Sequence, residues 1–424
     1  MDLEGLARRL SKEEAYREIV RALELYKGSR EVNKELARAV IQEVENSRKA
    51  EMFALARVEK VGAKAGESGL GSRGMGDHII HSYLLKMSEG SFEDAGLVDD
   101  IVVSIDGIHS RLSYFPFFAG FHATKAAVRD VVVKGAQPLG VLVDVHLADD
   151  ADIAYLFDFQ AGVIAVTRTL GIRVLAGSTL RIGGDLVIGE RISGGIGAVG
   201  RLVTKSFMRV NARRGDYLVM TEGKGGGTIT ATAIFNGMPE VAMRTIAVDE
   251  VVSAMRLISS NVASKISMMT DVTNGGIRAD AVEISEVTGL TVVLDVEKFI
   301  SLIDTEVRKM LENLQIDPLG LSIDSLLIAT SDPDAVIEFL KGLNVRADVV
   351  GALEPWKGYP LVDQDGKKLE YPFRESPYTP VKKVIGNSTP FTIEELEEKV
   401  RRAYEASRSK ADEVVKTLKA RYGL

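Results

Sequence analysis

The sequence predicts a mixed α/β chain of two domains framed by helical segments. Three observations carry this expectation. From Val98 onward, short apolar runs of strand length alternate with segments of helical period. The 424 residues exceed what one hydrophobic core fills. Both ends of the chain show helical periodicity alone. A composition of 46% hydrophobic and 27% charged residues supplies the cores this plan needs.

The N-terminal segment opens with Ser11-Lys-Glu-Glu14, a capping-box pattern, after which Ala15, Ile19, Leu23 and Tyr26 share one helical face up to Gly28. Leu36, Val40, Ile41 and Val44 mark a second helix. Residues 1–61 are therefore expected to form a packing layer on the main body, with a regulatory appendage as the other reading. Gly62 to Gly76 is a glycine-dense loop carrying Lys64 and Arg73, a composition that suits either phosphate-approaching amides or a linker.

Strands are predicted at 101–106, 139–147 and 172–176, helices at 119–134 and 151–170, and paired strands across 185–200. A boundary near 202–212 divides the body into domains at 62–205 and 206–355. The second domain begins with a strand at 217–221 and the run Gly223-Lys-Gly-Gly-Gly-Thr228 opening a helix. Glycines at a helix start suit an anion, although the Gly-Lys-Ser/Thr ending of a phosphate loop is missing. A helix at 249–263, the run Met268 to Gly276 leading into another helix, strands at 290–296, 325–330 and 344–351, and helices at 304–314 and 333–342 complete an α/β layer. Residues 356–424 combine a proline-rich strap with a helix that starts at the capping box Thr392-Ile-Glu-Glu395. Its stripe of Ile393, Leu396, Val400, Ala403, Ser407, Val414 and Leu418 is expected to dock on its own chain rather than to form a coiled coil.

A net charge of −7 argues against general nucleic-acid binding. The absence of cysteine removes disulfides, thiolate metal sites and cysteine nucleophiles. With neither a signal-peptide pattern nor a membrane-length apolar run, a cytoplasmic protein is expected. Asp106 ends an apolar strand and Asp130 interrupts an apolar helix, positions that are costly for a carboxylate unless something binds it. The five histidines, at 78, 81, 109, 122 and 146, lie in the same half of the chain. His78 and His109 are the pair to test as transition-metal ligands, against the plainer reading that they satisfy local hydrogen bonds.

Asp106-Gly107, Val128-Arg-Asp-Val-Val-Val-Lys-Gly-Ala-Gln-Pro138, Leu175-Ala-Gly-Ser-Thr179, Arg214-Gly-Asp216 and Asp271-Val-Thr-Asn-Gly-Gly276 follow one another in a recognisable order. Across roughly residues 70–355 the chain resembles the aminoimidazole ribonucleotide (AIR) synthetase superfamily. This PurM-like group includes selenophosphate synthetase, thiamine-monophosphate kinase and a hydrogenase maturation protein. The resemblance implies an N-terminal half that forms a dimeric β-barrel with a second copy, and a C-terminal α/β layer. It implies ATP and Mg²⁺ as cofactors, and activation or phosphorylation of a small molecule. It assigns Asp106 and Asp130 to catalysis, and Asp77, Asp106, Asp130 and Asp271 to the metal. Nucleotide contacts would come from Lys64, Arg73, Gly74, Gly76, Thr179, Gly225, Gly226, Gly227, Thr228 and Asn274.

Four motif positions depart from that pattern. His78, Ser178 and Asn274 stand where the family carries carboxylates, and Arg129 replaces an asparagine. Phe117-Phe118 and Asp317-Pro-Leu-Gly320 look most like the hydrogenase maturation branch, whose cysteine chemistry this composition lacks, so a side family is expected. An ATP-dependent enzyme is the first reading. A homodimer that binds a nucleotide or anion without catalysis is the alternative.

Overall fold

The computed structural model describes residues 1–375 and 377–423. Three helices lead the chain: α1 (Leu3–Arg9), α2 (Lys12–Lys27) and α3 (Glu31–Ser47). The capping box at Ser11 forms as predicted. Leu3, Ile19, Leu23, Val40 and Val44 bury a small core of their own together with Ile188 from the main body. Lys27 fixes the layer from outside, with its ammonium 2.5 Å from Asp149 and 2.6 Å from Asp150. The segment is a packing layer on the body.

The body begins with α4 (Met75–Ser88), an element that periodicity does not announce, and contains two sheets. The first comprises β1 (Gly96–Val98), β2 (Ile101–Gly107), β3 (Ala136–Leu147), β4 (Arg173–Arg181) and β5 (Ile192–Leu202), in the order β1-β2-β5-β3-β4. Only β3 and β4 run parallel, joined through the crossover helix α6 (Ala154–Thr169). Where paired strands are predicted across 185–200, a 3₁₀ turn at Gly184–Leu186 precedes the single strand β5.

One face of this sheet is covered by α5 (Pro116–Val133), which packs in turn against α6. That contact is close because it is made at glycines. A Cβ on Gly120 would lie 2.1 Å from the carbonyl oxygen of Phe159, and one on Gly162 would lie 2.2 Å from that of Phe117. The other face of the sheet presents Val103, Ile105, Leu139, Leu142 and Leu175 to solvent.

The second sheet has the order β11-β8-β10-β6-β9-β7. Its strands are β6 (Tyr217–Thr221), β7 (Ile266–Val272), β8 (Leu290–Leu294), β9 (Ser325–Thr330), β10 (Ala347–Pro355) and β11 (Leu361–Asp363). Its helices are α7 (Gly227–Phe235), α8 (Pro239–Arg244), α9 (Asp249–Ile258), α10 (Gly276–Thr288), α11 (Val296–Ser301), α12 (Thr305–Asn313) and α13 (Pro333–Gly342). A continuous apolar core runs from the first sheet into the second, so the two halves share an interior.

The strap crosses back over the glycine loop. Tyr371 donates its hydroxyl to the carbonyl of Arg73 at 2.8 Å. The carbonyls of Pro372 and Phe373 accept from the amides of Met75 and Gly76, the first two residues of α4. After α14 (Pro380–Ile385), helix α15 (Ile393–Tyr422) docks its first half on α4 through buried Leu396 and the Tyr83–Tyr404 ring contact. Its second half projects into solvent, with Val415, Leu418 and Tyr422 exposed. Among the described residues, no helix is long and apolar enough to cross a membrane.

Candidate functional site

Helix α5 is buried on almost every side, as its apolar sequence requires, yet it carries Lys125 and Arg129. Four residues apart, these two project from one face of the helix, toward the second half of the chain. Arg129 Nε contacts the Asp271 carboxylate, and its Nη1 lies 2.9 Å from Asp324 and 3.5 Å from Glu250. Lys125 Nζ is 2.9 Å from Asp324 and 3.2 Å from Glu250. Glu250 comes from the first turn of α9, Asp271 from β7 and Asp324 from the turn before β9.

One turn further along, Lys134 Nζ lies 2.7 Å from Glu93 and 2.9 Å from Asp94. Arg209 holds Asp94 at 2.6 Å and Glu283 at 3.0 Å. Burial alone would raise the Asp324 pKa, but Arg129 and Lys125 override it and hold the carboxyl below the usual range. Burial works against the Arg129 charge too, yet Asp271, Asp324 and Glu250 keep the guanidinium protonated. Burial raises Asp271 to about 6, against the pull of Arg129, so the pair is ionic at neutral pH.

This ion network floors a cavity of about 620 Å³ between the two halves, within the ordinary size range of small-ligand sites. Asp106, at the end of β2, and Asp130, beside Arg129, both reach its wall. Neither forms an ion pair among the described residues. Burial, together with Asp271, Asp106 and Asp94, raises the Asp130 pKa well above the carboxylate range. Burial also raises Asp106, against the opposing pull of Arg129 and Arg73.

The N-terminus of α7 meets the same cavity. Gly227 and Thr228 line it, and their first-turn amides have no protein acceptor among the described residues. Gly226 leaves room for the Asp324 carboxylate, which a Cβ there would meet at 2.3 Å, and Gly225 turns the chain with φ +85°.

The other candidates have different surroundings. Both oxygens of Asp77 accept backbone amides, from Gly71 and Arg73 at 2.9 Å each, so this carboxylate clasps the glycine loop. The α4 amides following Gly74 and Gly76's own amide are bonded to the strap, and a Cβ on either glycine would strike Phe373. The loop's glycines therefore admit the strap. Arg73 reaches the cavity, donating from Nε to the Asn274 carbonyl at 3.1 Å, and Asn274 lines the wall beside it. Lys64 pairs with Glu67 on the surface, and Thr179 lies exposed on the edge strand β4.

The two histidines do not meet. His78 is 2.7 Å from Glu286 and stacks on Phe92, while His109 Nε2 is 3.2 Å from the Tyr378 hydroxyl. Among the described residues, no three acidic or imidazole side chains converge as a preformed metal cage.

Sequence reasoning missed Lys125, Glu250, Asp324, Tyr378 and Lys382. Lys125 had a signal, a second cation four residues before Arg129 in an apolar helix. Asp324 sits just ahead of an apolar strand, as Asp106 sits at the end of one. Glu250 and the strap residues carry no local mark.

Replacing Arg129 with methionine leaves Asp271 facing Asp324 in a buried site, and a cost of about 3–5 kcal/mol is expected. Urea denaturation of R129M measures it; an unchanged midpoint would show that the pair contributes nothing. A pH effect follows from His109, whose pKa is lowered to about 4 by burial, with Lys382 and Arg111 adding repulsion. The folded state holds this ring neutral, while the unfolded state takes up its proton near the ordinary value of about 6.5. Stability is therefore full above that value and is lost as pH falls toward 4, by at most about 1.4 kcal/mol per unit from this group. His122, lowered by burial and Lys125, acts in the same direction. H109Q should flatten the profile between pH 4 and 6.5 in denaturation series, and an unaltered slope would remove His109 as its source.

Comparison with known proteins identifies the family. Residues 92–202 match the model of AIR synthase related protein, N-terminal domain, and residues 213–362 match that of its C-terminal domain. An uncharacterized protein of Methanocaldococcus jannaschii is 42% identical over 450 residues, covering 99% of each chain. Thiamine-monophosphate kinase of Methanopyrus kandleri is 25% identical over 250 residues, which is 56% of this chain and 75% of that one. Among solved structures, AaThiL complexed with AMPPCP and TMP superposes with a TM-score of 0.55 at 19% identity, over 70% of this chain and 94% of the other, a likeness of fold. With both halves matched in order and a relative aligned over nearly the whole length, the chain belongs to the AIR synthase related, PurM-like family.

Proposed function

We infer that the protein binds ATP with a divalent cation in the cavity between its halves and uses the γ-phosphate to activate or phosphorylate a small molecule. One observation carries this reading. Two carboxylates without cationic partners, Asp106 and Asp130, share a wall with a helix start whose amides have no acceptor. Clustered carboxyl oxygens whose ionisation a cation would favour suit Mg²⁺, and unmet amides suit phosphate. The family's kinases, and the fold neighbour solved with AMPPCP, support the nucleotide.

The donor set fits one ion. Asp106 and Asp130 would hold it, because Asp271 is taken by Arg129 and Asp77 by the glycine loop. Mg²⁺ bound there supplies neutralisation and orientation of phosphate oxygens. Gly227 and Thr228 would donate amides to those oxygens. Arg129 and Lys125 fix the neighbouring carboxylates so that their charge does not oppose the nucleotide. The alternative, binding without turnover, draws on the same Arg129–Asp271 contact, which removes one carboxylate from the family's metal set.

Thermal denaturation with Mg·ATP should show stabilisation that D106N and D130N each abolish, and Mn²⁺ titration followed by electron paramagnetic resonance should find one ion per chain. No shift with any adenine nucleotide would sink the reading, and nucleotide binding without phosphate release would establish the alternative. The apolar outer face of the first sheet supports a homodimer closed sheet against sheet. On that account, Ile105→Glu places a charge in the seam and should convert a dimer to a monomer in light scattering; an unchanged mass would place any self-association elsewhere.

A further inference from the structure

A second cavity, of about 410 Å³, lies between the strap and the glycine loop, and shares Gly71 and Lys382 with the first as common wall. It is built largely from the strap, which follows the family-matched residues ending at 362. Its position is set from within the chain. Tyr378 is buried, and its carbonyl accepts from Asn236 Nδ2 at 3.1 Å. Thr379 caps α14 by accepting from the Lys382 amide, with Pro380 as the first helical residue. Lys382 is thereby held at the partition, with its ammonium 4.1 Å from the centre of the Tyr378 ring.

The cavity is lined by three cations, Arg278, Arg374 and Lys382, and three carboxylates, Asp317, Glu370 and Glu375, but the charges are unevenly paired. Arg278 is neutralised by Asp317 and Glu375. Lys382 has no carboxylate within ion-pair distance among the described residues. Arg374 likewise has none: its guanidinium donates to the backbone carbonyls of Ser388, Gly66 and Glu67. Burial, with Arg111 and Arg374 adding repulsion, lowers the Lys382 pKa to about 8. Burial lowers Arg374 as well. Two partly buried cations without a counter-ion are unfavourable until an anion arrives.

We propose that this second cavity binds an oxyanion-bearing small molecule, with Lys382 and Arg374 as its charge partners. That the bound molecule is the acceptor for the phosphate chemistry rests on the function proposed above. Lys382 at the shared wall then places the acceptor's far end beside the nucleotide cavity. The strap thus serves as the specificity-determining segment, separate from the ion-binding carboxylates.

Calorimetric titration of the full chain with inorganic phosphate, in the presence of saturating Mg·AMPPNP, tests this. One phosphate per chain should bind, weakened at least tenfold in K382M and restored in K382R, with both variants checked for native denaturation midpoints. Citrate in place of phosphate separates the carboxylate source of the same chemistry, and tighter citrate binding that depends on Lys382 would assign a carboxylate. Binding of neither anion, or binding indifferent to K382M, or phosphate displaced by AMPPNP, would overturn the proposal. If AMPPNP fails to bind while phosphate binding is weakened by both K382M and R374M, Arg374 lining the second cavity alone, the second cavity stands and the nucleotide reading falls. If AMPPNP binds and K382M changes nothing, the reverse holds.

Discussion

The buried contact between the cations of α5 and the carboxylates of Glu250, Asp271 and Asp324 is the constraint on which the rest of the structure depends. It joins elements that lie far apart in sequence. Apolar surface on α5 brings the two halves together without fixing how they sit, because hydrophobic burial has no direction. Charged hydrogen bonds do have direction, and a misaligned helix would strand ions in the interior at a cost of several kcal/mol each. Lys134 and Arg209 repeat the device one turn away. The registration of one half against the other is thus set by electrostatics laid over an apolar core.

The same arrangement divides the acidic groups by role. Carboxylates in contact with Lys125, Arg129, Lys134 and Arg209 have their charge balanced within the protein. Asp106 and Asp130 remain without such partners on the cavity wall. Arg129, at a position where the resemblance implies asparagine, is therefore more than a lost motif letter. It ties Asp271 into the ion network, whereas Asp106 and Asp130 have no such partner.

Much of the fold was legible because its signals are local. The strands at 217–221 and 325–330 and the helix at 333–342 occupy the predicted residues, and both capping boxes form. The family motifs led to Asp106, Asp130 and Asp271, which line one cavity. What sequence could not convey was the use already made of a group. Asp77 and the glycine loop read as ligand-binding, yet their partners are backbone amides and a strap nearly three hundred positions away. Thr179 sits in a motif but on an exposed edge strand. Helix α4 was obscured because its first turn is satisfied by carbonyls from that strap, with no capping side chain to announce it.

The strap's course also bears on how the molecule comes into being. Domains emerge and fold from the N-terminus during synthesis. Here all residues of both sheets and of the ion network precede residue 371, whereas the first turn of α4 needs the carbonyls of Pro372 and Phe373. The wall at Tyr378 and Lys382 comes later still. A nascent chain therefore has the residues of its scaffold before those that finish its site, so that maturation of the pocket waits for the strap.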